Sequence, residues 1–188
     1  MRLPVTKDLY AYWSSLKGEW AAPDRADIDP DAIRHILSDT FIIEADADRR
    51  FPIRVCGARI NALWLCDQKG RNFLDWWRTR LQEAAAETIG WVIDNERPLV
   101  AHVRTDALGP DAADFELLLL PLRHFGKSRS RLLGSLAPTR PLSWMGMCPA
   151  GPLDLVATRT LDDTASRQKA AGAADRSEAV RGQLAMRG

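Results

Sequence analysis

The chain has 188 residues, 46% of them hydrophobic and 27% charged, with a formal net charge of +1. That is ordinary globular composition without the basic excess of a dedicated nucleic-acid binder. Residues 1–13 lack the apolar run of a signal peptide and no stretch reaches the ~18 apolar residues of a membrane span, so the expectation is a cytoplasmic protein with no membrane contact.

Val5, Leu9, Tyr12, Leu16 and Trp20 recur at helical spacing and predict an amphipathic helix over 5–20, with Thr6 as its cap and Gly18 near its end. Asp29 and Pro30 open a second, short helix whose buried face is Ile33, Ile36 and Leu37. The period then changes. Phe41–Ala45 and Phe51–Cys56, joined by a polar turn, predict a hairpin. Residues 58–66 read as helical, Asn72–Trp77 as an aromatic turn, and 80–95 as a longer helix with Leu81, Ala84, Ala85, Thr88 and Val92 on one side. Three strands follow: Leu99–Thr105, Phe115–Leu120 and Arg131–Leu136, with Gly109, Pro110 and Gly126 in the connections. After Pro138 the pattern fades, and Pro141, Pro149 and Pro152 interrupt regular structure. Residues 157–188 hold few large apolar side chains, and 139–188 is expected to be an irregular, mobile tail.

This order predicts an α+β fold with a five-stranded antiparallel sheet and helices on one face. Phe115, Leu117 and Leu119 face those helices, while Leu118 and Leu120 point the other way and need a cover. The stripe of helix 5–20 is the natural cover, supplied within the chain or by a second copy. Leu9, Tyr12, Leu16, Leu118 and Leu120 are therefore candidates for a partner or dimer interface.

Six pieces in order resemble a family of small bacterial stand-alone PAS-domain proteins. They are Leu9-Tyr-Ala-Tyr-Trp13, Ala22-Pro-Asp-Arg-Ala-Asp-Ile-Asp-Pro30, Phe51-Pro-Ile-Arg-Val-Cys-Gly57, Gly70-Arg-Asn-Phe-Leu-Asp-Trp76, Glu116-Leu-Leu-Leu-Leu-Pro-Leu122 and Leu132-Leu-Gly-Ser-Leu-Ala-Pro138. Ala58 stands where the pattern favours a hydroxyl residue. The resemblance covers about residues 5–140 and divides the chain into a helical cap (1–38), a PAS-like domain (39–138) and the tail (139–188). It implies a sensory or regulatory module that dimerises and docks on signalling proteins such as kinases, with a small ligand between helices and sheet as one means of gating.

By position, Trp64, Phe73, Trp76, Trp91, Val103, Phe115 and Leu117 line that space, either as a ligand cavity or as a packed core. Arg123-His-Phe-Gly-Lys-Ser-Arg-Ser-Arg131 offers Arg123, Lys127, Arg129 and Arg131 for a phosphate, although a charged hairpin tip is more often only solvated. Haem ligation finds no suitable histidine, since His35, His102 and His124 all fall at surface or edge positions. Cys66 lies in Leu63-Trp-Leu-Cys-Asp-Gln68, which is not a flavin-reactive setting. Cys56, Cys66 and Cys148 form no Cys-x-x-Cys pair, and no nucleophile, phosphate-loop or metal signature is present, so neither cofactor nor metal is assigned. The competing readings are a regulatory module, a ligand-binding protein and an enzyme of unrecognised type.

Overall fold

A computed structural model describes residues 1–46, 48–107, 112–124 and 127–161. The body is one antiparallel sheet of six strands: β1 (Thr40–Glu44), β2 (Ile53–Cys56), β3 (Leu99–Ala107), β4 (Ala113–His124), β5 (Lys127–Pro138) and β6 (Ala150–Thr160). Their order across the sheet is β2-β1-β5-β4-β3-β6. The fold is α+β, as the sequence predicts, with one strand more than expected. That strand, β6, comes from the segment expected to be irregular. It pairs with β3 from Leu99↔Thr160 to Ala107↔Ala150, and Leu153 is buried against the core. The expectation of a mobile end at 162–188 lies outside the described residues.

Side chains alternate across β4, and each set meets a different layer. Phe115, Leu117 and Leu119 join the inner core with α2 (Ala58–Leu63), α3 (Gln82–Asn95) and the 3-10 turn Phe73–Trp76. Leu118, Leu120 and Leu122 join an outer core with Val100, Ile42 and Leu133. Helix α1 (Pro4–Leu16) covers this outer face with Leu9 and Trp13, both essentially inaccessible. The cover therefore comes from the same chain.

Helix α1 is shorter than its periodicity suggests. Pro4 takes the first helical position, where its fixed φ fits and no amide donor is needed, so Leu3, not Thr6, precedes the helix. Thr6 is buried instead of capping. The chain leaves the helix through Gly18 at φ +56°, and Trp20 stands 65% exposed with the Arg123 guanidinium 4.5 Å above its ring. Trp13 is the aromatic that reaches the sheet, and its indole N–H donates to the Pro121 carbonyl at 2.8 Å. The predicted second helix is two 3-10 turns, Asp31–Ile33 and Leu37–Asp39, preceded by a third at Arg25–Asp27. Ile28, Ile33 and Ile36 from this run extend the outer core.

Gly57 marks a close approach. A Cβ there would overlap the carbonyl oxygens of Leu37 and Ser38, and its amide donates to the Thr40 carbonyl at 2.8 Å. The absence of a side chain lets the start of α2 press against the 3-10 turn Leu37–Asp39 that leads into β1.

Candidate functional site

The space between helices and sheet is filled by aromatic rings. Trp76 is stacked on Trp64 and tilted against Phe73, both at 4.8 Å between centroids, and Phe41 meets Trp76 edge-on at 5.2 Å. Offset and edge-to-face contacts of this kind pack rings densely. The Trp76 indole N–H donates to Gln68 Oε1 at 2.9 Å, and the Gln68 amide in turn donates to the Cys66 carbonyl and sulfur. Gln68 is nearly inaccessible, so the network satisfies the Trp76 indole without solvent.

The sequence-derived cavity residues divide accordingly. Phe73, Trp76, Val103, Phe115 and Leu117 are fully buried, and Trp64 is half-buried against them. Trp91 departs from the set: it stands 37% exposed, because α3 buries Ala85, Ala86, Ile89, Val92 and Ile93 and turns position 91 outward. A cavity of about 20 Å³ lies beside Phe73, Trp77, Ala85, Leu117 and Leu155. That is room for roughly one water molecule. Small-molecule sites in proteins are more than tenfold larger, about 300–1,000 Å³. Trp77 lines this void, and its indole N–H is buried without an acceptor among the described residues.

The five interface candidates also change role. Leu9, Leu118 and Leu120 are buried inside the chain, so they are not a surface. Tyr12 and Leu16 are half-buried at the edge of the same contact. The Tyr12 hydroxyl accepts from the Asp29 amide at 2.7 Å and fastens α1 to the following turns. What α1 presents to solvent is Lys7, Asp8, Ala11 and Ser15.

One residue that the sequence reading passed over fixes this helix. Glu116 sits on the outer face of β4, nine-tenths buried, and its carboxylate accepts from the Arg2 amide at 2.8 Å and the Leu3 amide at 3.1 Å. The amides of the N-cap residue Leu3 and of Arg2 before it are thus satisfied from the sheet, where the helix has no local side-chain cap. Burial raises the Glu116 pKa, but the Thr6 hydroxyl and the two amides outweigh it and leave the carboxyl below its ordinary value. The available signal was Glu116 itself, a lone acid inside an apolar strand.

Two of the four basic hairpin candidates are engaged within the chain. Arg123 donates to the Ala22 carbonyl at 2.9 Å and Arg131 holds Glu44 at 2.7 Å, while the side chains of Lys127 and Arg129 lie outside the described residues. His35 faces Asp8 at 3.4 Å and His102 faces Asp114 at 2.9 Å. The side chain of His124 lies outside the described residues. Burial, aided by the Asp67 carboxylate, pushes the Cys56 thiol up to about 12, which keeps it protonated and unreactive near neutral pH. Among the described residues, no group of three or more His, Cys, Asp or Glu is placed to hold a metal ion, and no helix is long and apolar enough to cross a membrane.

A family model for the PAS domain matches residues 1–137. No curated protein matches the chain.

Proposed function

The chain belongs to the PAS domain family, and from that premise we propose that it is a regulatory module acting through protein–protein contact. One observation carries the choice of contact over cofactor. The interior between helices and sheet is occupied by the chain's own rings, leaving about 20 Å³, so the signal enters and leaves at the surface. The output element is α1. It lies over the sheet on an apolar bed, and its start is tied to β4 by the Glu116 carboxylate. A partner such as a signalling kinase reads the exposed side of α1, and a change in partner occupancy shifts the protein only if a second arrangement of α1 binds the partner with different affinity from the one described.

The test is a pull-down followed by mass spectrometry with the purified chain as bait, comparing wild type with Lys7→Glu and Ala11→Arg. Both positions are exposed, so both variants keep the fold. The expected outcome is a signalling protein retained by wild type and lost from the variants. Retention of the same partner by both variants removes α1 from the output surface.

A second reading, small-molecule binding, draws on the buried Trp77 indole N–H beside the void. A ligand there accepts one hydrogen bond and requires α3 to move off the sheet. An absorbance scan and native mass spectrum of the purified chain separate the two readings. A chain at its bare mass with no visible band supports contact signalling; a stoichiometric added mass supports the second reading.

A further inference from the structure

The two edges of the sheet are finished differently. At the β2 edge, chain residues 70–73 run alongside: the Ile53 amide donates to the Arg71 carbonyl, Gly70 to the Ile53 carbonyl and Phe73 to the Phe51 carbonyl, at 2.7–2.9 Å. At the β6 edge the cover stops early. The Arg78 amide donates to the Leu153 carbonyl at 3.1 Å, and Arg78 and Arg80 hold Asp154. Beyond that point Val156, Ala157, Thr158, Arg159 and Thr160 are all exposed, and among the described residues β3 is their one neighbouring strand.

The direction of the free backbone follows from the ladder. The Leu161 amide donates inward to the Pro98 carbonyl at 2.9 Å. Inward and outward residues alternate from Leu161 back to Ala157, where the ladder is broken by a bulge at Val156 opposite His102 and Val103, so Thr160 and Thr158 turn their N–H and C=O groups away from β3. Past Pro152 and the bulge at Val156, residues 157–160 carry no lysine or proline, and the outward backbone groups of Thr158 and Thr160 are a short template for another strand.

We propose that this edge pairs antiparallel with the same edge of a second copy, about a two-fold axis at Thr158. The side chains fit that register. Thr158 faces Thr158 of the partner subunit and Ala157 faces Arg159 of the partner subunit, and the pairing ends at the bulge at Val156. No like charges stand opposite one another, which an antiparallel pair requires, and the contact closes on itself as an isologous interface. Residues 162–188 are poor competitors for the edge, since Thr164 and Val180 are their only β-branched residues. The interface is independent of the α1 surface assigned above, so either can fail without the other.

Sedimentation of the full chain tests the assembly, and two variants at Thr158 test its geometry. Thr158→Pro removes an outward N–H that the subunit does not use, so the subunit keeps its fold and becomes monomeric while wild type is dimeric. Thr158→Cys, with Cys148→Ser to remove the exposed native thiol, forms a disulfide-linked dimer on mild oxidation, because residues opposite each other lie about 5.5 Å apart between Cα atoms, within disulfide reach. Thr160→Cys in the same background does not. A wild-type chain that stays monomeric at tens of micromolar, a dimer that survives Thr158→Pro, or equal cross-linking at 158 and 160 each overturns the proposal.

Discussion

A carboxylate that is nine-tenths buried persists in its charged form only when donors surround it, and Glu116 meets that condition by accepting the Arg2 and Leu3 amides just ahead of α1. Because its pKa in the folded chain lies below the ordinary 4.5, its contribution to stability is complete above that pH and is lost as the pH falls toward the folded value. Glu44 beside Arg54 and Arg131, Asp114 beside Arg104 and His102, and Asp154 beside Arg78 and Arg80 are shifted the same way. Asp39 runs opposite: burial raises its carboxyl despite Arg59, so acid relieves it. Glu116→Gln keeps the shape and removes the charge. At neutral pH it should cost about 2 kcal/mol, the scale of hydrogen bonds to a charged group. The gap to wild type should narrow in urea titrations run well below pH 4.5. An equal gap at both pH values would show that the charge is not what holds the helix. Sequence inspection missed Glu116 because nothing in a strand pattern says that one outward position will meet a helix start from more than a hundred residues earlier.

At the scale of elements, β6 depends on a few side chains at its first half. Arg78 donates to both Asp154 oxygens, at 2.7–3.0 Å, and also reaches Asp106 at 3.3 Å. Arg78→Ala should speed amide hydrogen exchange at 153–155 while β1, β4 and β5 keep their protection, and uniform loss across the sheet would contradict that local role. The history of this strand in the sequence is instructive. Its polar second half and the prolines at 149 and 152 hide it, because an edge strand buries little and leaves only a partial alternation to read. Strands with two buried faces were plain: the run from Phe115 to Leu122 shows its two destinations by alternation alone. Helix α1 was legible from its stripe but not its limits, which Pro4 and Gly18 set. The turns at Asp31–Ile33 and Leu37–Asp39 read as a helix because three-residue 3-10 pieces carry no period of their own. The candidate interior was legible as residues and illegible as volume. Which positions point inward follows from strand parity, whereas the fit of Trp64 against Trp76 depends on rotamers that no spacing encodes.

For the whole molecule, the closed interior has a stability signature. Leu117 is fully buried at the wall of the residual void, and Leu117→Ala enlarges a space that the rigid rings cannot collapse to fill. The expected cost is about 3 kcal/mol in chemical denaturation with an unchanged slope. A loss under about 1 kcal/mol would mean that the core relaxes freely, as a ligand-accepting interior does. Beyond stability, β4 supplies both cores from one backbone: Phe115, Leu117 and Leu119 press on one side and Leu118, Leu120 and Leu122 on the other. A pleat is one residue thick, and Leu119, between Leu118 and Leu120, faces the void beside Phe73 and Trp77. On the function proposed above, the sheet would act as a taut diaphragm, a touch on the outer skin being heard on the inner one with no molecule passing through.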